Sequence, residues 1–482
     1  MKLKKLIKDL DIKILGSCKD VEITGLSSNS KFTAPGEMFV AKRGRLHDGN
    51  QYAEEALLAG ASCLLTDIFN PFLGDVTQLI TNDLNSVEGL LAKRYYDNPS
   101  SKIFLIGVTG TNGKTTTTYL IKHILDVDAP TGIIGTIENI IGEVRIDSNL
   151  TTPDVITSNK IFKEMIANGV KNCAMEVSSH ALNQNRIVGI EFDVAIFTNL
   201  SQEHLDYHIT MDEYFNEKSK LFSHIKDSGV AIINRDDVRS SDLIKICTNR
   251  VVTYGLSKGC DYYGKNLVMT SHDIRFTLDY HGCESLVNLP LIGEFNVYNA
   301  LAAIATANIK GVSIDKIVNR LKTFSGVPGR MERVRSDDGR NIFVDFAHTA
   351  DALEKTLIAL KIVTSGKIIT IFGCGGDRDK EKRPNMARIA EKYSNHVIVT
   401  SDNPRGEDPN FIVEQIIGGF NKNIYEVELD RKKAIEKGIS MISGDDVLLI
   451  AGRGHEKKQI FSKKIVKFND TEVANEILNL LV

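Results

Sequence analysis

Ile103-Phe104-Leu105-Ile106-Gly107-Val108-Thr109-Gly110-Thr111-Asn112-Gly113-Lys114-Thr115-Thr116-Thr117-Thr118 decides how the rest of this chain is read. Its first six residues form a short apolar run, the pattern of a strand buried on both faces of a parallel sheet. The glycines that follow let backbone N–H groups approach phosphate oxygens. A helix starting there adds a partial positive charge, and Lys114 adds a full one. The Thr115 hydroxyl is of the type that ligates Mg²⁺. The spacing G-x-x-x-x-G-K-[ST] is not met strictly, because Val108 stands at its first position, with Gly107 before it and Gly110 inside the loop. The strand–loop–helix order still predicts a nucleotide-phosphate site at Gly110, Thr111, Asn112, Gly113, Lys114, Thr115 and Thr116, with a helical pattern over 119–125.

Outward from this loop, apolar runs recur at 172–177, 194–197 and 230–233, and helical patterns separate them. Strands alternating with helices imply βαβ units and a parallel sheet. Residues 326–329, Gly-Val-Pro-Gly, read as a linker. Beyond it, strand candidates at 342–344, 368–372, 397–400 and 447–450 suggest a second, doubly wound unit. Before the loop, a β-like run at 38–41 and a helical stretch near 53–59 form a first block, closed by the turn signal Asp97-Asn98-Pro99. The expected architecture is α/β with three domains: 1–100, a central parallel-sheet domain over 101–328, and a Rossmann-like domain over 329–482. Residues 1–8 read as a basic amphipathic helix.

The composition narrows the class. The 482 residues are 42% hydrophobic and 25% charged, with a net charge of −3. That is ordinary for a globular protein and lacks the basic excess of a nucleic-acid binder. No apolar run approaches the ~20 residues that cross a bilayer. The seven cysteines are odd in number, widely spaced and without a CxxC pair, which argues against a disulfide framework or zinc site and for a reducing cytoplasm. A cytoplasmic monomer acting on small molecules is expected, with no nucleic-acid or membrane partner. A phosphate loop alone does not specify a reaction: a kinase, a switch GTPase, a motor and a ligase all use one. No Asn-Lys-x-Asp base-reading element accompanies it, which speaks against a GTPase.

Further segments carry more information. They are Met175-Glu176-Val177-Ser178-Ser179-His180, Asn199-Leu200-Ser201-Gln202-Glu203-His204-Leu205-Asp206-Tyr207-His208, Gly293-Glu294-Phe295-Asn296-Val297-Tyr298-Asn299, Pro328-Gly329-Arg330-Met331-Glu332 and Val344-Asp345-Phe346-Ala347-His348-Thr349. Together with the phosphate loop, and in this order along the whole chain, they resemble the Mur ligases and the related folylpolyglutamate synthetases. Within the Mur ligases they look like the members that add the third residue of the peptidoglycan stem peptide.

The resemblance implies ATP-driven amide formation through an acyl phosphate. An anionic carboxylate must then approach a polyanion, so Mg²⁺ and fixed cations must neutralise developing charge. Lys114, Glu176, His204 and Lys218 are the implied catalytic set, with Mg²⁺ held by Thr115, Glu176, His204 and a carbamylated Lys218. By residue type alone Lys218 would be a solvated helix lysine, and Lys220 is the neighbouring candidate. Asn296, Asn299, Arg330, Asp345 and His348 would complete the ATP site. Phe346 and Ala350 depart from the Tyr and Pro common in the family. Ser30, Thr151, Thr152, Ser178, Gln184 and Arg186 would bind the UDP-muramoyl-dipeptide substrate, although Thr151-Thr152-Pro153 equally suits a helix N-cap with Pro at N1.

Asp402-Asn403-Pro404-Arg405 follows a strand end, where open α/β sheets bind ligands, and resembles the signature of members that add meso-diaminopimelate. Diaminopimelate differs from lysine by a second carboxylate, which a guanidinium reads as a bidentate fork. Arg405 is therefore the expected discriminator, with Arg378, Gly452 and Glu456 completing an amino-acid site. Lysine, and lanthionine with the same two ends, remain alternatives. More distant ones are a folylpolyglutamate synthetase and a nucleotide-binding module without ligase activity.

Overall fold

The computed structural model describes every residue except Cys18, Arg45, Leu46, His204, Asp337 and Val482, with the side chains of Leu205, Asp206 and Leu481 also outside the description. The chain divides into two compact units. One is Met1–Gly107, Ala129–Ala195 and Glu217–Val230; the other is Val108–Asp128, Ile196–Asn216 and Ala231–Val482.

Three sheets carry the sites. The first orders its strands Lys13–Leu15, Thr77–Ile80, Cys63–Thr66, Met38–Ala41, Leu26–Ser27. All neighbours are parallel except the antiparallel edge strand Lys13–Leu15. Met38–Ala41 and Cys63–Thr66 are buried throughout, and Phe39, Ala41 and Leu64 pack on Ala53 and Ala56 of the helix Ala53–Leu58. The N-terminal helix expected over residues 1–8 is shorter, a single turn Leu3–Leu6. Leu3 N donates to Val21 O and Ile23 N to Met1 O, so backbone bonds to a neighbouring segment compete with helix propagation, which is costly to nucleate.

The central sheet has eleven strands. Its middle runs Ile225–Asn234, Phe192–Phe197, Phe104–Thr109, Asn172–Glu176, Thr131–Ile134. The phosphate-loop strand thus sits between buried neighbours. The sequence reading missed the flanks. On one side lie Glu138–Ile141 and Val144–Asp147, antiparallel hairpin strands. On the other, Tyr262–Met269, Ile274–Tyr280 and Cys283–Leu289 form an antiparallel meander. Tyr262–Met269 and Ile274–Tyr280 alternate more and less buried residues, as one-sided antiparallel sheets do. Glu138–Ile141 is buried throughout but opens on polar Glu and Asn, and Val144–Asp147 is exposed throughout, so none of these shows the continuous apolar run that flagged the inner strands.

The C-terminal sheet runs Glu332–Val334, Asn341–Asp345, Val447–Ala451, Ile368–Phe372, His396–Val399, Tyr425–Val427. It is parallel except for its first strand. Phe343, Leu449, Ile368, Phe372 and Val397 face one core, with the helices Ala350–Val363, Lys382–Tyr393 and Pro409–Ile417. Ile342, Val344, Leu448, Ile450, Ile369 and Ile371 face the other, with Arg431–Met441 and Asp470–Leu481. This period-2 division of apolar residues between two faces is what lets one sheet carry helices on both sides. No described helix is long and apolar enough to cross a membrane.

Candidate active site

The phosphate loop is held open by its backbone. Gly110 has φ +140° and Gly113 φ +89°. A Cβ on Gly110 would lie 1.9 Å from Thr198 Oγ1, and one on Gly113 2.3 Å from Asn299 Oδ1, so only glycine fits at either position. Thr111 N donates to Asn199 O (2.8 Å), Asn112 N to Asn199 Oδ1 (3.0 Å), and Thr198 Oγ1 to Asn112 O (2.7 Å). The helix Lys114–Leu125 begins five residues before the predicted pattern. Its N-cap, Gly113, supplies no side-chain acceptor, and a helix N-terminus carries the partial positive charge that suits an anion. Lys114 Nζ curls back onto the carbonyls of Gly110 (2.9 Å) and Thr111 (2.7 Å). Thr115 is buried, and Arg330 Nη2 donates to its hydroxyl at 3.4 Å.

Other nucleotide candidates gather in the same unit. Asn296 and Asn299 lie in the first turn of Phe295–Ile309. They do not cap it: Asn296 Nδ2 donates to Ile292 O, and Asn299 Nδ2 to Asn296 Oδ1. Arg330 stacks on Phe346 with 4.5 Å between guanidinium and ring centroid, a cation–π contact that fixes its plane. Asp345 is buried, and its carboxylate accepts from Met331 N (2.7 Å) and Ala347 N (2.9 Å). Burial pushes its carboxyl above the usual range, opposed by the Arg330 charge and these hydrogen bonds. His348 Nε2 stands 3.9 Å from Glu203. Sequence reasoning missed Asp351, whose Oδ2 accepts from Asn112 Nδ2 (3.1 Å) and Ser201 Oγ (3.0 Å). It also gave no role to Thr198 or Asn199, although Asn199 opens one of the diagnostic segments.

In the other unit, five of the acceptor candidates and Glu176 form one hydrogen-bonded group. Glu176 ends the strand Asn172–Glu176 and accepts from Thr136 N and Thr136 Oγ1, both at 2.9 Å. Thr136 Oγ1 lies 3.1 Å from Thr151 Oγ1. Thr152 Oγ1 donates to Glu176 O (2.8 Å) and accepts from Ser178 N (3.0 Å). Arg186 donates to Thr152 O (2.9 Å) and through Nη2 to Gln184 Oε1 (2.6 Å). Thr136 has no motif signal and was missed. The N-cap reading of Thr151-Thr152-Pro153 is corrected: Asp154 caps Val155–Ala167, accepting from Thr157 N at 2.9 Å, and the threonine hydroxyls are directed elsewhere. Ser178 itself caps Ser179–Asn183. Ser30 is buried, with Oγ donating to Glu55 Oε2 at 2.8 Å. Lys218, on Met211–Ser219, is 2% exposed, whereas Lys220 is 48% exposed and paired with Glu217 at 2.7 Å. Burial thus separates the two lysines that the sequence left as neighbours. His204 lies outside the described residues.

The third group surrounds Asp402-Asn403-Pro404-Arg405, just past the strand His396–Val399. Asn403 Nδ2 donates to Glu456 Oε2 (2.6 Å), and Ile460 N donates to Asn403 Oδ1 (2.9 Å). Burial and the nearby Asp402 raise the Glu456 carboxyl above its usual range, against the pull of Asn403 and Arg453. A Cβ on Gly452 would lie 2.9 Å from Asp402 Oδ2. Arg405 Nη1 donates to Gly376 O at 3.0 Å, and Arg378 is exposed beside it. Beneath them Arg431 and Asp470, both fully buried, form a bidentate pair at 2.7 and 2.8 Å.

The profile of the Mur ligase middle domain matches residues 108–307, and that of the Mur ligase glutamate ligase domain matches residues 329–454. This chain belongs to the Mur ligase family. It is 40% identical over 488 residues, 100% of both chains, to the UDP-N-acetylmuramoyl-L-alanyl-D-glutamate–2,6-diaminopimelate ligase of Chlamydia felis. It is 40% identical to the ligase of the same name from Bacillus cereus, over 99% of this chain and 98% of that one. Among solved structures, a UDP-N-acetylmuramoyl-L-alanyl-D-glutamate–2,6-diaminopimelate ligase superposes with a TM-score of 0.69 at 32% identity, covering 95% of each chain. The MurF ligase of Thermotoga maritima in complex with ADP shares the fold, with a TM-score of 0.67 at 19% identity over 96% of this chain and all of that one.

ATP fits the residues present, since the cradle at Gly110 and Gly113 would be filled by any Cβ. Mg²⁺ takes many of its oxygens from phosphates and water, and the buried Thr115 hydroxyl at the start of the helix is an oxygen of the type it uses.

Proposed function

We propose that this Mur ligase adds meso-diaminopimelate to UDP-N-acetylmuramoyl-L-alanyl-D-glutamate at the expense of ATP, as a cytoplasmic monomer supplying peptidoglycan synthesis. The observation that supports the reading is that 2,6-diaminopimelate ligases match the chain end to end, and that the Arg378 and Arg405 side chains both pass Gly375. A guanidinium there can read the carboxylate that lysine lacks. Folylpolyglutamate synthesis would leave the 1–100 block and this pocket without a role.

Residues 1–100 bind the uridine nucleotide, with Ser30 contributing. Thr151, Thr152, Ser178, Gln184 and Arg186 orient the muramoyl dipeptide. Residues 101–328 bind ATP: the loop Gly110–Thr116 surrounds the phosphates, Lys114 neutralises the β- and γ-phosphates, and Asn296 and Asn299 address the base and ribose. Arg330, Asp345 and His348 reach the nucleotide from 329–482. The glutamate carboxylate attacks the γ-phosphorus and ADP leaves. The amine of the incoming amino acid then attacks the acyl carbon, phosphate leaves and the amine proton is lost. Thr115, Glu176, His204 and Lys218 as its carbamate would hold Mg²⁺, whose charge offsets the repulsion between carboxylate and polyphosphate. Carbamylation needs a neutral amine, which a buried lysine supplies more readily than an exposed one. Arg405, with Arg378, holds the carboxylate of diaminopimelate that lysine lacks, Gly452 and Glu456 bind the distal ammonium end, and Asp402, Asn403 and Pro404 complete the amino-acid site.

The test is an acceptor screen with purified protein, ATP, Mg²⁺ and UDP-MurNAc-dipeptide. Phosphate release matched by tripeptide formation with diaminopimelate is expected, with lanthionine next and lysine last. Phosphate release independent of any amino acid, or no tripeptide with any acceptor, overturns the reading.

A further inference from the structure

We propose that Arg383 and Glu407 are positioning residues which hold the Arg378 and Arg405 loops together, and so set the preference for a diamino acid with a second carboxylate over lysine. The inference rests on the function proposed above and adds two residues that need not touch the substrate.

The two loops are separate in sequence and pressed together in space. A Cβ on Gly376 would lie 1.9 Å from Pro404 O. One on Gly375 would lie 2.8 Å from Arg405 Nη1 and 3.9 Å from Arg378 Cγ, so both arginine side chains pass the same glycine. Asp377, just before Arg378, has φ +53°, and Arg405 has φ +51°. Neither is glycine, so both backbones occupy a region that surrounding contacts must enforce.

Arg383 and Glu407 supply those contacts. Arg383, in the first turn of Lys382–Tyr393, is fully buried. Its Nη1 donates to Glu407 Oε2 (3.0 Å) and Gln415 Oε1 (2.8 Å), and its Nη2 to Glu407 Oε1 (2.9 Å) and Gly375 O (3.2 Å). Glu407 lies two residues after Arg405, yet its Oε1 also accepts from Asp377 N at 2.6 Å. One carboxylate therefore ties the backbone of the Arg378 loop to the Arg405 loop, and one guanidinium locks that carboxylate in a fork. Asp377 Oδ2 returns the tie by accepting from Gly406 N at 3.0 Å. Two cations aimed at one carboxylate repel each other when it is absent. Loops carrying them need an anchor that does not depend on the ligand, and a bidentate fork from a buried guanidinium has the required rigidity.

The experiment compares the full-length enzyme with Arg383→Met, Arg383→Lys and Glu407→Gln, varying diaminopimelate or lysine at saturating ATP and UDP-MurNAc-dipeptide. The expected result is a rise in the diaminopimelate KM of about tenfold in Arg383→Met and Glu407→Gln. Their kcat and ATP KM stay near wild type, their lysine KM is unmoved, and Arg383→Lys recovers part of the loss. An unchanged diaminopimelate-to-lysine ratio of kcat/KM in both variants overturns the proposal. So does a fall in kcat with a matching rise in every KM, which marks general disorder. Should Arg383→Met fail to fold, Glu407→Gln decides alone by the same criteria. A wild-type enzyme with no preference for diaminopimelate would remove the function proposed above and this inference with it. A preference kept by both variants removes only the inference.

Discussion

The proposed phosphate loop and the proposed amino-acid site would both serve anionic groups, and they are built in opposite ways. The proposed phosphate site is made of consecutive residues, Gly110 to Thr116, at the start of the helix Lys114–Leu125, whose end carries partial positive charge. The amino-acid pocket draws on the segments around Arg378, Asp402–Arg405 and Gly452–Glu456. These meet only because three parallel strands end side by side. Its loops are tied by ion pairs, the buried Arg383 with the partly exposed Glu407, and Arg431 with Asp470, both buried. A backbone cradle is held by hydrogen bonds to Thr198, Asn199 and Asp351, and the helix behind it carries its own dipole. A pocket of guanidinium groups must be braced, because its like charges repel.

The sharpest way to break this contrast is Lys114→Ala. Loss of the full charge at the developing negative centre should lower kcat by about 10²–10³-fold, read as ADP release in the presence of both acceptors. An effect confined to the KM of the amino acid would show that the two regions do not divide the work as described. Next in size is Arg405→Ala. Selectivity for diaminopimelate over lysine, measured by competition, should drop by about 1.5–3 kcal/mol, the scale of a charge-assisted hydrogen bond, with ATP binding untouched. Unchanged selectivity would assign the second carboxylate to another group.

The smallest effect concerns the brace. The Arg383 fork and the Asp377 N–H hold the Glu407 carboxyl at about 2, against an ordinary value of 4.5. A carboxylate with a depressed native pKa stabilises the fold fully above its unfolded value, and that contribution fades as pH falls toward the native one. The gap in unfolding midpoint between wild type and Glu407→Gln should therefore be constant above pH 4.5 or so and narrow as pH drops toward 2. A gap that widens on acidification would mean that the fork does not stabilise the ionised form.

The same contrast governs what could be read in advance. Most inner strands of the central and C-terminal sheets were visible as short apolar runs because they are buried on both faces; Thr131–Ile134, equally buried, was missed because its run Thr-Gly-Ile-Ile holds only two large apolar residues. The antiparallel meander at 262–280 was not, because a half-exposed strand spreads its apolar residues at every second position, and the hairpin at 138–147 was not, because one strand opens on Glu and Asn and the other is exposed throughout. Thr151-Thr152-Pro153 misled for a related reason. Thr and Asp are both good N-caps, and only the fold shows Asp154 turned to Thr157 while Thr152 spans Glu176 and Ser178. Thr136 and Asp351 carry no motif at all and matter through where they sit.

What the sequence alone determined is the chemistry written in contiguous residues: a phosphate cradle after a buried strand, and a guanidinium just past a strand end. Local backbone geometry and residue type are enough to state both. What only the tertiary structure decided is which isolated side chains are buried and whom they meet, Lys218 rather than Lys220, and Arg383 on Glu407. Burial and ion pairing between distant segments are properties of packing, and no window of consecutive residues contains them.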